Sequence, residues 1–154
     1  MLSQSAVYAL QAGLYLAGRE NGDRATAKEV GEELNIPTPY LAKVLQRLRD
    51  EGVVEGVRGP RGGYRLTRDP ACITVVDVVA PFYDMGPPQK CLLGGECHMD
   101  QPCVAHRRRS EWNEAIQGVL RETTLQDLLG GDRPGGALRR RDMERSSQTI
   151  EEAS

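Results

Sequence analysis

Apolar residues recur at helical spacing from the start of the chain. Leu2, Ala6, Tyr8 or Ala9, Leu10, Gly13, Leu14 and Leu16 or Ala17 form a broad stripe, which predicts a helix over about residues 3–19. Gly22 and Asp23 mark a loop. Thr26 and Glu29 stand as a T-x-x-E capping box, opening a second helix with Ala27, Val30 and Leu34 on one face. Asn35, Ile36 and Pro37 end it. Thr38 is placed as N-cap of the next helix and Pro39 as its first residue, with Leu41, Val44, Leu45 and Leu48 inward. Two short strands then follow, over 53–57 and 64–66, around the tight turn Gly59-Pro60-Arg61-Gly62-Gly63. Thr74 and Asp77 cap a short helix that Pro81 ends or distorts. A longer helix covers about 103–122, with Val104, Trp112, Ile116, Val119 and Leu120 apolar. So small a core cannot cover all of that helix, and a second copy of the chain is the simplest cover. Thr124 and Asp127 cap a last short helix, LQDLL. Beyond Gly130 the chain is glycine-rich and charged, including Arg139-Arg140-Arg141, and reads as a disordered tail.

This pattern predicts a mainly α fold. Two short helices joined by a tight turn, followed by a two-stranded ribbon, make a winged helix-turn-helix. The division expected is a winged helix-turn-helix over 1–84, a cysteine-rich loop over 85–106, a dimerisation helix with a short final helix over 103–129, and a tail over 130–154. The second helix of the pair is the recognition helix. Thr38, Tyr40 and Lys43 are placed to meet phosphates or base edges, and Arg47 the backbone. The ribbon tip carries Arg58 and Arg61 among glycines, suited to a narrow minor groove.

Composition limits how DNA is held. The 154 residues carry a net charge of −2, so affinity for a polyanion must come from a local patch. No apolar run approaches the ~20 residues of a bilayer span, and no basic segment precedes an apolar one at the N-terminus. A cytoplasmic protein with reduced thiols is expected, with no membrane partner. No paired carboxylates or nucleophile–base motif points to an enzyme.

The remaining chemistry lies in CLLGGECHMDQPCVAH. Cys91, Cys97 and Cys103 stand at six-residue steps, and His106 follows one helical turn after the third. The stretch is too poor in apolar side chains to build its own core. Thiolates and an imidazole suit zinc or an iron–sulfur cluster. Structural zinc sites usually use C-x-x-C pairs, which are absent here, whereas wide spacing suits a larger inorganic core. His98, beside Cys97, reads as exposed to solvent. Cys72, between Ala71 and Ile73, reads as a small buried hydrophobe.

The stretches IPTPYLAKVLQRLRDEGVVEGVRGPRGGYRL, ITVVDVV, the three cysteines and TTLQDLL together resemble the Rrf-type bacterial transcription regulators over about residues 1–129. The VRGPRGGY wing is the most specific element. The C-x5-C-x5-C loop resembles the cluster-binding branch that contains the iron–sulfur cluster regulator IscR. The resemblance implies a homodimer crossed through the long helix, a palindromic double-stranded DNA operator, and cluster ligands Cys91, Cys97 and Cys103. In that branch a histidine three residues after the third cysteine completes a 2Fe–2S cluster, and His106 holds that position. Another branch completes a 4Fe–4S cluster with an acidic residue of the partner's first helix, where this chain has Tyr8. The branch's recognition helix also has a glutamate where this chain has Ala42, so dual-site behaviour is not carried over. The function expected is a repressor whose operator affinity follows the state of the cluster, through redox, iron or nitric oxide. The alternative is a regulator stabilised by zinc, or free of any cluster, without redox sensing.

Overall fold

The computed structural model describes residues 2–19, 22–83 and 103–130. In chain order these form α1 (Gln4–Ala17), α2 (Ala27–Leu34), α3 (Thr38–Asp50), β1 (Val54–Val57), β2 (Gly63–Leu66), α4 (Val75–Val79), α5 (Val104–Glu122) and α6 (Leu125–Gly130). Among the described residues the fold is mainly helical with one two-stranded sheet, as the pattern predicts. Of the tail expected over 130–154, Gly130 instead closes α6, and residues 131–154 lie outside the described residues.

The helix starts are set by local hydrogen bonds. Ser3 caps α1 by accepting from the Ala6 N–H. At α2 the capping box closes in both directions: the Glu29 N–H donates to Thr26 Oγ1 at 3.2 Å, and the Thr26 N–H to Glu29 Oε2 at 2.6 Å. Thr74 and Asp77 repeat it at α4. At α3 the N-cap is Pro37, not Thr38, which is already helical with Pro39 behind it. The Pro37 carbonyl accepts from both Tyr40 and Leu41, so no hydroxyl cap is needed there. Pro81 does end α4, and the chain leaves through a 3-10 turn at Ala80–Phe82.

The turn between α2 and α3 is made by Asn35, the one described non-glycine residue with positive φ (54°). Its short polar side chain tolerates this left-handed conformation. Gly31 lets α3 approach: a Cβ there would lie 2.8 Å from the Ile36 carbonyl and 3.2 Å from Thr38 Oγ1.

One core joins Ala9, Ala12 and Leu16 of α1, Val30 and Leu34 of α2, Leu41, Val44, Leu45 and Leu48 of α3, Val53 and Val54 around β1, Ile73, and Val78 of α4. It is aliphatic, as the single phenylalanine and few tyrosines require. Leu125 of α6 is fully buried in the same core, so the C-terminal helix returns to the winged-helix body. The Leu125 N–H donates to the Ile73 carbonyl and the Val75 N–H to the Thr123 carbonyl, which pins the end of α5 beside α4.

The hairpin is antiparallel, pairing Val54 with Leu66 and Val57 with Gly63. Ala25 adds a bridge on the other side of β2 through two backbone bonds with Tyr64. Gly63, at φ 136°, allows this: a Cβ would lie 2.8 Å from the Ala25 backbone.

Candidate nucleic-acid interface and cysteine site

Helix α3 buries one face and turns the rest outward. Lys43 is exposed and has no ion-pair partner among the described residues. Tyr40 is partly exposed, but its hydroxyl shares a hydrogen bond with Ser5 and its ring meets Tyr8 edge-on at 5.5 Å. It therefore docks the start of α3 against α1. Thr38 is half-buried over Gly31. Arg47 lies 3.6 Å from Glu51 and lines a hollow with Arg68, Asp77 and Pro81, on the α4 side of the helix. Gln46 and Arg49 point to the other flank, where α3 and the wing enclose an open cleft of about 710 Å³.

The two wing arginines separate. Arg58 lines the cleft toward α3, whereas Arg61 lines a second hollow of about 380 Å³ with Arg19, Asp23 and Arg24. Neither makes an ion pair among the described residues. Glu55 braces the ribbon by accepting from Arg65 and from Arg24, the latter at 3.2 Å. The Arg65 hydrogen bond and charge, then those of Arg24, hold its carboxyl below the usual range. Sequence reading missed Gln46 and Arg49. The signal was there, since they follow Lys43 by three and six residues along one side of the helix.

Of the predicted metal ligands, Cys103 and His106 are described; Cys91 and Cys97, like His98, lie outside the described residues. Cys103 is the N-cap of α5, and its thiol is exposed, free of any disulfide and uncommitted to a capping bond. His106 is half-buried one turn further on. A thiol held open at a helix start, with an imidazole on the same side, fits a thiolate- and imidazole-ligated group, and the helix N-terminus favours the negative charge of such a group. No set of three metal-ligating side chains occurs among the described residues. Cys72 departs from expectation. It is exposed, because the 3-10 turn Pro70–Cys72 carries it on the surface while Ile73 takes the buried place.

Helix α5 buries none of its residues. Val104, Trp112 and Val119 are 64, 65 and 62% exposed. No helix among the described residues is long and apolar enough to cross a membrane.

The helix pair α2–α3 and the wing stapled at Ala25 make a winged helix-turn-helix. The family model for Rrf2, the iron-dependent transcriptional regulators, matches residues 2–131. The chain belongs to the Rrf2 family. Among curated relatives, a protein of Aquifex aeolicus (strain VF5) named as an HTH-type transcriptional regulator is 38% identical over 133 residues, covering 84% of this chain and 91% of its own. The HTH-type transcriptional regulator IscR of Klebsiella pneumoniae (strain 342) is 30% identical over 128 residues, covering 83% and 78%. Among solved structures, T. potens IscR matches with a TM-score of 0.71 at 26% identity, covering 87% of this chain and 89% of that one. CymR, the global cysteine regulator of B. subtilis, matches at 0.69 and 26%, covering 83% and 95%. This Rrf2 protein is a DNA-binding transcription regulator and not an enzyme.

Proposed function

We propose that this Rrf2 regulator is a cytoplasmic homodimer that binds a palindromic operator and changes its affinity with the state of an iron–sulfur cluster. Cys91, Cys97, Cys103 and His106 hold the cluster, of the 2Fe–2S type, and the exposed apolar residues of α5 form the dimer seam. Thr38, Tyr40, Lys43 and Arg47 on α3, with Arg58 and Arg61 on the wing, serve as DNA contacts. The observation that carries this reading is the open Cys103 thiol at the head of α5, one turn before His106, on the same helix that leaves Trp112 and Val119 uncovered. The family's description as iron-dependent supports it.

When bound, the cluster supplies a ligation and charge state that responds to oxidants, iron supply or nitric oxide. The chain's own contacts provide a route from that site to the operator. Phe82, three residues before the cysteine-rich segment at 85–106, accepts a hydrogen bond from Ser3 Oγ at 2.8 Å through its carbonyl. Two residues on, Ser5 holds the hydroxyl of Tyr40 at the start of the recognition helix. One turn of α1 thus touches both the cysteine side and the DNA side. A two-state change at Phe82 would bias the set of α3.

Anaerobic purification followed by an absorption spectrum and iron and acid-labile sulfide assays tests the reading on wild type, Cys103→Ser and His106→Ala. Equal iron and sulfide, with a 2Fe–2S spectrum lost in Cys103→Ser and altered in His106→Ala, is the expected result. A colourless protein carrying zinc would keep the DNA-binding half and remove the sensing half. A 4Fe–4S spectrum indifferent to His106→Ala would remove the assigned fourth ligand. Equal operator affinity of cluster-loaded and cluster-free protein at matched salt would remove the switch.

A further inference from the structure

We propose that the cleft between α3 and the wing seats one strand of the DNA backbone, with Arg49 and Arg58 holding its phosphates from opposite walls and Gln46 adding a neutral hydrogen bond beside Arg49. The proposal rests on the DNA-binding reading. A helix in the major groove and a ribbon in the adjacent minor groove must straddle the backbone strand that separates those grooves. That strand has to cross the space between α3 and the wing.

The two flanks of α3 differ in the charge they offer such a strand. Among the described residues no carboxylate lines the cleft. Its charged groups are Arg49 and Arg58, and its wing wall includes Gly56, Gly59 and Gly62, whose lack of side chains allows close backbone approach. The hollow on the other flank puts Glu51 and Asp77 beside Arg47 and Arg68, which neutralises it. Arg47 and Arg49 are about 160° apart around the helix axis, so they cannot serve the same strand.

Arg58 has no ion-pair partner among the described residues. Arg49 pairs with its neighbour Asp50 at 3.1 Å, with both side chains about half exposed. Surface pairs of that kind are weak, and a phosphate offers the guanidinium a bidentate alternative. Gln46 is exposed and has no hydrogen-bond partner among the described residues, leaving its amide available.

The test uses the full chain, fluorescent duplexes of random and of selected sequence, and a salt series. Arg49→Ala is expected to bind about tenfold more weakly on every duplex alike. Its plot of log affinity against log salt should be shallower by about one per protomer. Arg49→Lys, which keeps the charge and the fold, should restore the slope, and Arg68→Ala, in the hollow on the other flank and paired with Asp77, should leave it unchanged. An unchanged slope in Arg49→Ala would overturn the proposal, as would a loss confined to particular sequences, since that behaviour belongs to a base contact. Wild type that binds no duplex at all would overturn the DNA reading and this proposal together; wild type that binds while Arg49→Ala matches it would overturn this proposal alone.

Discussion

Helices α1 and α5 are both long and amphipathic in sequence, yet the structure treats them oppositely. In α1, Ala6, Ala9, Ala12, Gly13 and Leu16 are buried, and the helix packs on α3, α4 and α6. In α5 nothing is buried over 19 residues, and the largest apolar side chain, Trp112, stands in solvent. The small residues of α1 let neighbouring backbones approach: a Cβ on Gly13 would meet Val78 and Leu125 at 3.7 Å. At the end of α5 Leu120 packs against Ala6, Val75 and Val79, but Val104, Trp112 and Val119 are left largely exposed. The winged-helix body thus satisfies itself, whereas α5 presents an apolar face of the kind that marks an interaction surface.

The contrast makes its largest prediction at Leu48. This side chain is fully buried between α3 and the rest of the core. Leu48→Ala should cost about 3 kcal/mol, from lost transfer energy and an unfilled cavity. Trp112→Ala should cost under about 0.5 kcal/mol in dilute solution, because the ring touches little there. Urea unfolding followed by circular dichroism at low and high protein concentration separates them. The Trp112→Ala deficit should grow with concentration as the partner is lost, and the Leu48→Ala deficit should not. Equal costs for both variants at every concentration would erase the distinction between a closed body and an open helix.

A smaller effect sharpens where the closed body ends. The wing projects from it but is stapled at Ala25, and the staple needs a glycine at 63. Gly63→Ala should destabilise by about 2 kcal/mol, because the added methyl meets the Ala25 backbone at φ 136°. Gly59→Ala, also at positive φ (117°) but with open space around it, should cost less. If thermal unfolding shows the two variants equal, the Ala25 contact is not what seats the ribbon.

What could be read from sequence follows the same division. Features set within a few residues of chain were legible: the capping boxes at Thr26 and Thr74, the Pro81 break, and the hairpin around Gly59–Gly63. Features set by the exact local turn geometry or by distant chain were not. Cys72 looked buried because its neighbours are apolar, but a three-residue turn reversed its direction. Thr38 looked like a cap because its residue type favours caps, but the Pro37 carbonyl had already taken that place. The return of Leu125 into the main core depends on backbone bonds to Ile73, some fifty residues earlier, and no local pattern encodes it. At the candidate DNA surface, residue types pointed to Lys43, Arg58 and Arg61. The helical spacing from Lys43 also reaches Gln46 and Arg49, and the placement of the wing against α3 puts both on the cleft.

The smallest expected effect concerns Glu29, where the closed body meets solvent. The Thr26 backbone N–H, then the Thr26 side chain, hold its carboxyl below the usual range; burial opposes this and the Arg19 charge adds to it. A depressed carboxylate contributes stability that is present above its unfolded pKa, about 4.3, and is lost as pH falls through the lower folded value. Glu29→Ala should therefore be less stable than wild type at neutral pH, by under about 1 kcal/mol for so exposed a group. The gap should narrow below the unfolded pKa as the wild-type carboxyl takes up its proton. Urea unfolding of both proteins from neutral to acid pH measures it. A gap independent of pH would mean that Glu29 acts through helix propensity alone and that the ionised half of the capping box contributes nothing.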